Sequence, residues 1–282
     1  MSFLNRTARY CLLVFLSGLA LAHEPNNDSK KTGENGALRV LVYSDTAYYR
    51  HPDIPGINRW LVLLGHEHGI EVDVSEHWQD LRPNVLKKYD VLLLNNANKL
   101  AEVIPEAQRK SVEDWFAAGK GIVAIHATLV KQEDWPWLVE LGGCDFNSDS
   151  DFLKARIVVD PAAKEHPTVK GQPDEFMYEA DWTNHTRPVT GLPGFQVLLR
   201  IDESSYEPVR EAFKERGGKA MGKDHPIAWT NEPKTGGRFF YTEIGHDLRS
   251  LNTEFAHRHI VEGIKWAAKS GKKETETSET KK

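Results

Sequence analysis

Gly121-Ile-Val-Ala-Ile-His126-Ala127 decides how this chain folds. Three of its apolar residues are β-branched, none alternates with a polar residue, and Gly119 stops a helical pattern (Val112, Trp115, Phe116) just before it. A short run apolar on both faces is a strand buried on both sides, the signature of a parallel sheet covered by helices. Upstream, Val91–Leu94, bracketed by Asp90 and Asn95, Ile70–Val74 and Leu38–Tyr43 (LRVLVY) read as strands, with Ile57, Trp60, Leu61 and Leu64 at helical spacing between the first two. The order βαβαβαβ predicts an α/β fold with a doubly wound, mostly parallel sheet. Downstream, Phe152–Val159, Glu175–Trp182, Gln196–Ile201, Pro226–Thr230 and Arg238–Ile244 read as strands with few helices between them, so antiparallel additions are expected in the C-terminal half. Thr235-Gly236-Gly237 predicts a hairpin between the last two. A closing helix over Phe255–Ala268 carries Ile260, Ile264 and Ala267 on one face.

The 282 residues, 40% apolar and 27% charged, suffice for one large core. The net charge of −5 and the scattered Lys and Arg residues speak against nucleic acid and for a small-molecule partner. Arg6 and Arg9, the apolar run Tyr10–Leu19 and Ala20-Leu21-Ala22 read as a signal peptide over residues 1–22, which predicts a secreted or periplasmic protein. The run is short for a membrane span, so none is expected after cleavage; an uncleaved anchor is the alternative. Residues 23–36 read as a disordered linker, 37–269 as the single domain, and 270–282 as a disordered tail. Cys11 leaves with the leader, and the remaining Cys144 reads as a small buried hydrophobe. Homo-oligomerisation is left open.

Histidines recur where strands begin or end: His51, His126, His166, His225 and His246. Carboxyl ends of strands build the ligand crevice of an open α/β sheet. If the last two strands form a hairpin, His225 before it and His246 after it emerge at one end and share a pocket. His166-Pro167 and His225-Pro226 have a plain alternative as strand-ending turns. His51 has one as a helix cap. His66, His68, His77, His257 and His259 read as surface residues.

From about Leu38 to Ala268 the chain resembles the ThuA-like (trehalose utilisation) family. The matching pieces are Tyr49-Arg-His-Pro52, Gly121-Ile-Val-Ala-Ile-His126-Ala127, Leu141-Gly-Gly143, His166-Pro167, Asp174-Glu-Phe-Met-Tyr178, His225-Pro-Ile-Ala-Trp229, Gly237-Arg-Phe-Phe-Tyr-Thr242 with Gly245-His246, and Trp266-Ala267. Each is short; their order and spacing make them jointly specific. The resemblance implies a flavodoxin-like sheet of the class I glutamine amidotransferase-like type. It departs in two places: similar sequences carry His-Pro shortly after Leu-Gly-Gly, where this chain reads Asp145-Phe-Asn-Ser148, and an aromatic beyond Gly-His, where it reads Asp247-Leu-Arg-Ser-Leu251.

An amidotransferase of that fold needs a cysteine at the turn after the central strand and a carboxylate two residues beyond its histidine. Here those positions read His126 and Leu248, so glutamine hydrolysis is excluded. Two chemistries are left. His126, His246 and Glu175, or a further histidine, hold a divalent metal such as zinc. Alternatively Glu175 or a histidine is a metal-free general base, with Arg50, Tyr178 and Trp229 shaping the site. The catalytic candidates are thus His126, Glu175 and His246, and the substrate-binding ones Arg50, His51, Tyr178, His225 and Trp229. The family's link to trehalose and 3-keto sugars implies a carbohydrate-derived substrate. The competing class is a non-catalytic carbohydrate-binding or accessory module using the same cleft.

Overall fold

The computed structural model describes residues 36–269; the expected signal peptide, nearly all of the linker and the tail lie outside the described residues. The elements are β1 (Leu38–Tyr43), α1 (Ile54–Glu67), β2 (Ile70–Ser75), α2 (Pro83–Leu86), β3 (Val91–Asn95), α3 (Glu106–Ala117) and β4 (Gly121–Ile125), followed by α4 (Pro136–Gly142), β5 (Phe146–Asp149), β6 (Leu153–Val159), β7 (Glu175–Ala180) and β8 (Thr183–His185). The chain ends with β9 (Phe195–Asp202), α5 (Glu211–Lys214), β10 (Pro226–Asn231), β11 (Arg238–Thr242), α6 (Leu248–Leu251) and α7 (Glu254–Ala268).

The main sheet has the order β2-β1-β3-β4-β11-β10-β9-β6-β7. Its first five strands run parallel, and each later neighbour is antiparallel to the one before. This is the doubly wound, mostly parallel sheet with antiparallel additions that the apolar runs predict. The fifth parallel strand, however, is not the next one in sequence: β11 arrives through the hairpin from β10 and docks on β4 in register, Thr242 beside Ile125. β5 and β8 pair separately as a two-stranded sheet.

Both faces of the parallel sheet are covered, which is why β3 and β4 are buried at every position. One face packs Val40, Val42, Leu93 and Val123 against α1 and α7; the other packs Leu41, Leu92, Ile122 and Ala124 against residues of α3 and α4 such as Phe116 and Leu138. Helix α7 starts where the Thr253 hydroxyl accepts from the Ala256 amide at 3.0 Å, closing a free donor of its first turn. Its inner face includes His259, fully buried between the Thr168 carbonyl and the Thr242 hydroxyl, each 3.1 Å away. The surface reading of His259 is therefore corrected: three residues after Ala256 and four before Gly263, it shares the inner face that they bury. Cys144 is buried, as the sequence predicts.

Candidate functional site

The carboxyl ends of β1, β3, β4 and β11 lie side by side, and each delivers a polar residue to the same rim. His51 follows β1, Asn96 follows β3, His126 follows β4 and His246 follows β11. His126 turns at φ 47° and Asn96 at φ 53°, left-handed conformations that cost about 1–3 kcal/mol in a non-glycine residue. Gly245, just before His246, passes close to the end of β4: at φ 145°, an added Cβ there would come 2.2 Å from the Ile125 side chain.

The three imidazoles meet edge to face, mutually near perpendicular. Ring centroids are 5.1 Å apart for His51 and His126, 5.0 Å for His51 and His246, and 4.9 Å for His126 and His246. One nitrogen from each lies within 4.8 Å of the others. His126 Nδ1 is 3.2 Å from the Glu243 carbonyl oxygen, so it donates there and its Nε2, 3.1 Å from His246 Nδ1, is the lone-pair nitrogen. Asp181 Oδ2 lies 2.9 Å from His246 Nδ1. The Nδ1 of His51 is buried with no hydrogen-bond partner.

Charge follows from these neighbours. Burial, helped by the other two imidazoles, pushes His51 down to about 2, and burial with the nearby His246 pushes His126 down to about 3, so both are neutral. His246 goes the other way: burial opposes its charge, but the Asp181 carboxylate outweighs it and raises the pKa.

A cavity of about 370 Å³ opens on the cluster, large enough for a small organic ligand. The three histidines line it together with Asp149, which ends β5, and Tyr48 and Tyr49 from the β1–α1 loop. Burial pushes the Asp149 carboxyl up to about 7 against the pull of Arg210. The loop carrying the tyrosines is pinned by Asn98, whose side-chain oxygen accepts the amides of Tyr48 and Tyr49 at 3.1 Å each, while its nitrogen donates to the Tyr49 carbonyl at 2.7 Å. Behind the histidines, Glu243 is fully buried; it accepts the Thr183 amide at 3.1 Å and lies 2.6 Å from His185 Nε2.

His51, His126 and His246 thus converge; the other expected site residues stand elsewhere. Glu175 is exposed and ion-paired with Arg156 at 3.8 Å. It begins β7, four strands from β11 and about 19 Å away at ~4.8 Å per strand. Because β7 runs in the same direction as β11, its first residue is also at the opposite rim; the residue just past its last, Asp181, is the carboxylate that reaches the site. Tyr178 lies under α6 and α7, where its hydroxyl donates to the Ser250 carbonyl and lies 2.9 Å from the Thr253 hydroxyl. Trp229 is core in mid-β10, donating to the Gly142 carbonyl at 3.0 Å and packing on Tyr241. His225 emerges at the rim that the hairpin predicts, but it is fully buried behind it, between Glu203 at 2.8 Å and the Thr183 carbonyl at 2.9 Å. Arg50 points outward to Glu76. Among the described residues, the set that can hold a metal is therefore His51, His126 and His246, the third ligand being the further histidine and not Glu175.

Asp149, Asp181, Glu243 and Asn98 are not among the residues the sequence points to; Asp149 directly follows Asp145–Ser148, where this chain departs from the His-Pro of similar sequences, but lies outside that segment.

An open α/β sheet with three imidazoles converging from the carboxyl ends of its parallel strands defines a class of protein with its ligand site on the sheet rim. Within that class, residues 39–267 match the model of the ThuA family, described as trehalose utilisation, and the chain belongs to that family. Among solved structures, a ThuA-like protein from Bacteroides uniformis ATCC 8492 superposes with a TM-score of 0.67 at 22% identity, over 82% of this chain and 91% of that one. A ThuA-like protein from Parabacteroides merdae ATCC 43184 does so with a TM-score of 0.60 at 16% identity, over 83% and 90%. At these identities the likeness is one of fold. Comparison with the curated proteins finds no match.

Proposed function

We propose that the chain acts on a carbohydrate-derived small molecule, such as a 3-keto-glycoside, in the rim cavity, with His51, His126 and His246 holding a divalent cation such as zinc. The convergence of three imidazole nitrogens within 4.8 Å carries this reading, and the family's description supplies the carbohydrate. The donors fit the ion: two of the rings are neutral, one buried nitrogen of His51 lacks any partner, and the Glu243 carbonyl and Asp181 orient the other two rings from behind. Three histidines are also the ligand count of a catalytic rather than a structural zinc site. When bound, such an ion polarises a carbonyl or acidifies water. The acid–base part that the sequence reading gave to Glu175 falls to Asp149, a carboxyl in the same cavity that exchanges its proton near neutral pH. Tyr48 and Tyr49 offer ring faces to a sugar. A periplasmic or secreted place of action rests on the sequence of residues 1–22.

Metal analysis of the purified protein, with turnover assays on glucosides and 3-keto-glucosides, tests this. About one equivalent of divalent metal per chain is expected. His126→Ala and His51→Ala should lose both metal and turnover while keeping a cooperative unfolding transition, and Glu175→Ala should change neither. Metal-free protein that turns over unchanged would overturn the metal assignment, and sugar binding without turnover would favour the non-catalytic module.

A further inference from the structure

Part of the cavity wall comes from β5 and the α5 segment, which bring two guanidinium groups, Arg210 and Arg216, to it. Arg210 is already engaged: its Nε is 2.5 Å from Asp149 Oδ1, its Nη2 donates to Oδ2 at 3.1 Å, and it lies over the Phe213 ring. Arg216 is exposed and has no ion-pair partner among the described residues. The acidic residues nearest in sequence do not all remain free for it, since Glu207 and Glu211 pair with Lys214 at 3.2 and 3.7 Å.

Of the two guanidinium groups in this wall, Arg210 is thus held against Asp149, and Arg216 alone has no ion-pair partner among the described residues. Its charge is positive in a chain whose net charge is −5. A cavity with one sign of uncompensated charge concentrates ligands of the other sign. The guanidinium fork matches carboxylate and phosphate oxygens two at a time, which neutral hydroxyls cannot reproduce. Phe213, three residues before it, meets Phe146 edge to face at 5.4 Å, and both line the same cavity as Arg216, so apolar ring surface for a sugar is present in it as well.

We infer that the carbohydrate taken by this cavity carries an oxyanion, a carboxylate or a phosphate, and that Arg216 receives it. This rests on the carbohydrate reading of the same site and adds the charge of its ligand. No residue of the histidine cluster is involved in that selection, so the preference persists in metal-free protein.

Titration calorimetry on the full chain with glucose, glucuronate and glucose 6-phosphate tests the inference. At least one of the two anionic sugars should bind about 10- to 100-fold more tightly than glucose, the span of a charge-assisted hydrogen-bonded contact. Which of them does so distinguishes a carboxylate from a phosphate. Arg216→Gln should erase that preference and leave glucose affinity and the thermal midpoint unchanged, and Arg216→Lys, which keeps the charge but not the fork, should retain part of it. If glucose binds as tightly as both anionic sugars, or if the preference survives in Arg216→Gln, the inference is overturned and the carbohydrate reading stands. If none of the three sugars binds, the inference is overturned, and the turnover assays on 3-keto-glucosides decide the carbohydrate reading separately.

Discussion

Replacing Gly245 by alanine should damage the protein more than any exposed-loop glycine, because two costs coincide there. At φ 145° the backbone occupies a region that side chains with a Cβ rarely adopt, a strain of about 1–3 kcal/mol. The new methyl would also sit 2.2 Å from Ile125 Cγ2, and overpacking a full core costs about 1–3 kcal/mol more. Ile125 cannot yield easily, because it is fully buried in β4 beside Thr242 of β11. The sum, about 2–6 kcal/mol, corresponds to a midpoint lowered by roughly 8–16 °C for a central value near 4 kcal/mol in a domain of this size. Gly191 is the control: its φ of 80° carries the strain alone, with nothing within 4 Å of an added Cβ. Urea and thermal unfolding of both variants measure the difference. Equal destabilisation by the two substitutions would refute the claim that the close approach of Gly245 to Ile125 adds a cost beyond backbone strain.

Two further outcomes follow from the polar layer behind the site. Burial works against a charge on His185, but Cys144 and Glu243 outweigh it and push its pKa up to about 10. A folded-state pKa above the unfolded value near 6.5 means that this contribution is complete below about pH 6.5 and is lost as pH rises toward 10. Urea midpoints should therefore fall between pH 7 and 9.5, and Glu243→Gln, which removes one partner of a buried pair, should cost about 3–5 kcal/mol at pH 6.5 and flatten that fall. Asn98→Ala strips three main-chain bonds from the loop that carries Tyr48, Tyr49 and His51; metal affinity, read by competition with a chromophoric chelator, should drop about 10- to 100-fold.

The local chemistry of the chain determined its layers by itself. Runs such as Leu38–Tyr43 and Gly121–Ile125 are apolar on both faces, and only a helix-covered parallel sheet buries them; the Gly236-Gly237 link between two such runs permits little but a hairpin. His51, His126 and His246 were legible because strand ends of this fold share a rim. What only the tertiary structure decided is which strand lies beside which, and in what direction. The hairpin sets β11 against β4, which brings His246 to His126, while the antiparallel run from β10 to β7 carries Glu175 to the far rim and Asp181 to the near one. Side-chain alternation reports which face of a strand is buried, not which end of it meets a partner far along the chain. That depends on sheet order, so the carboxylates and amides supporting the site had no mark in the sequence that a surface residue lacks.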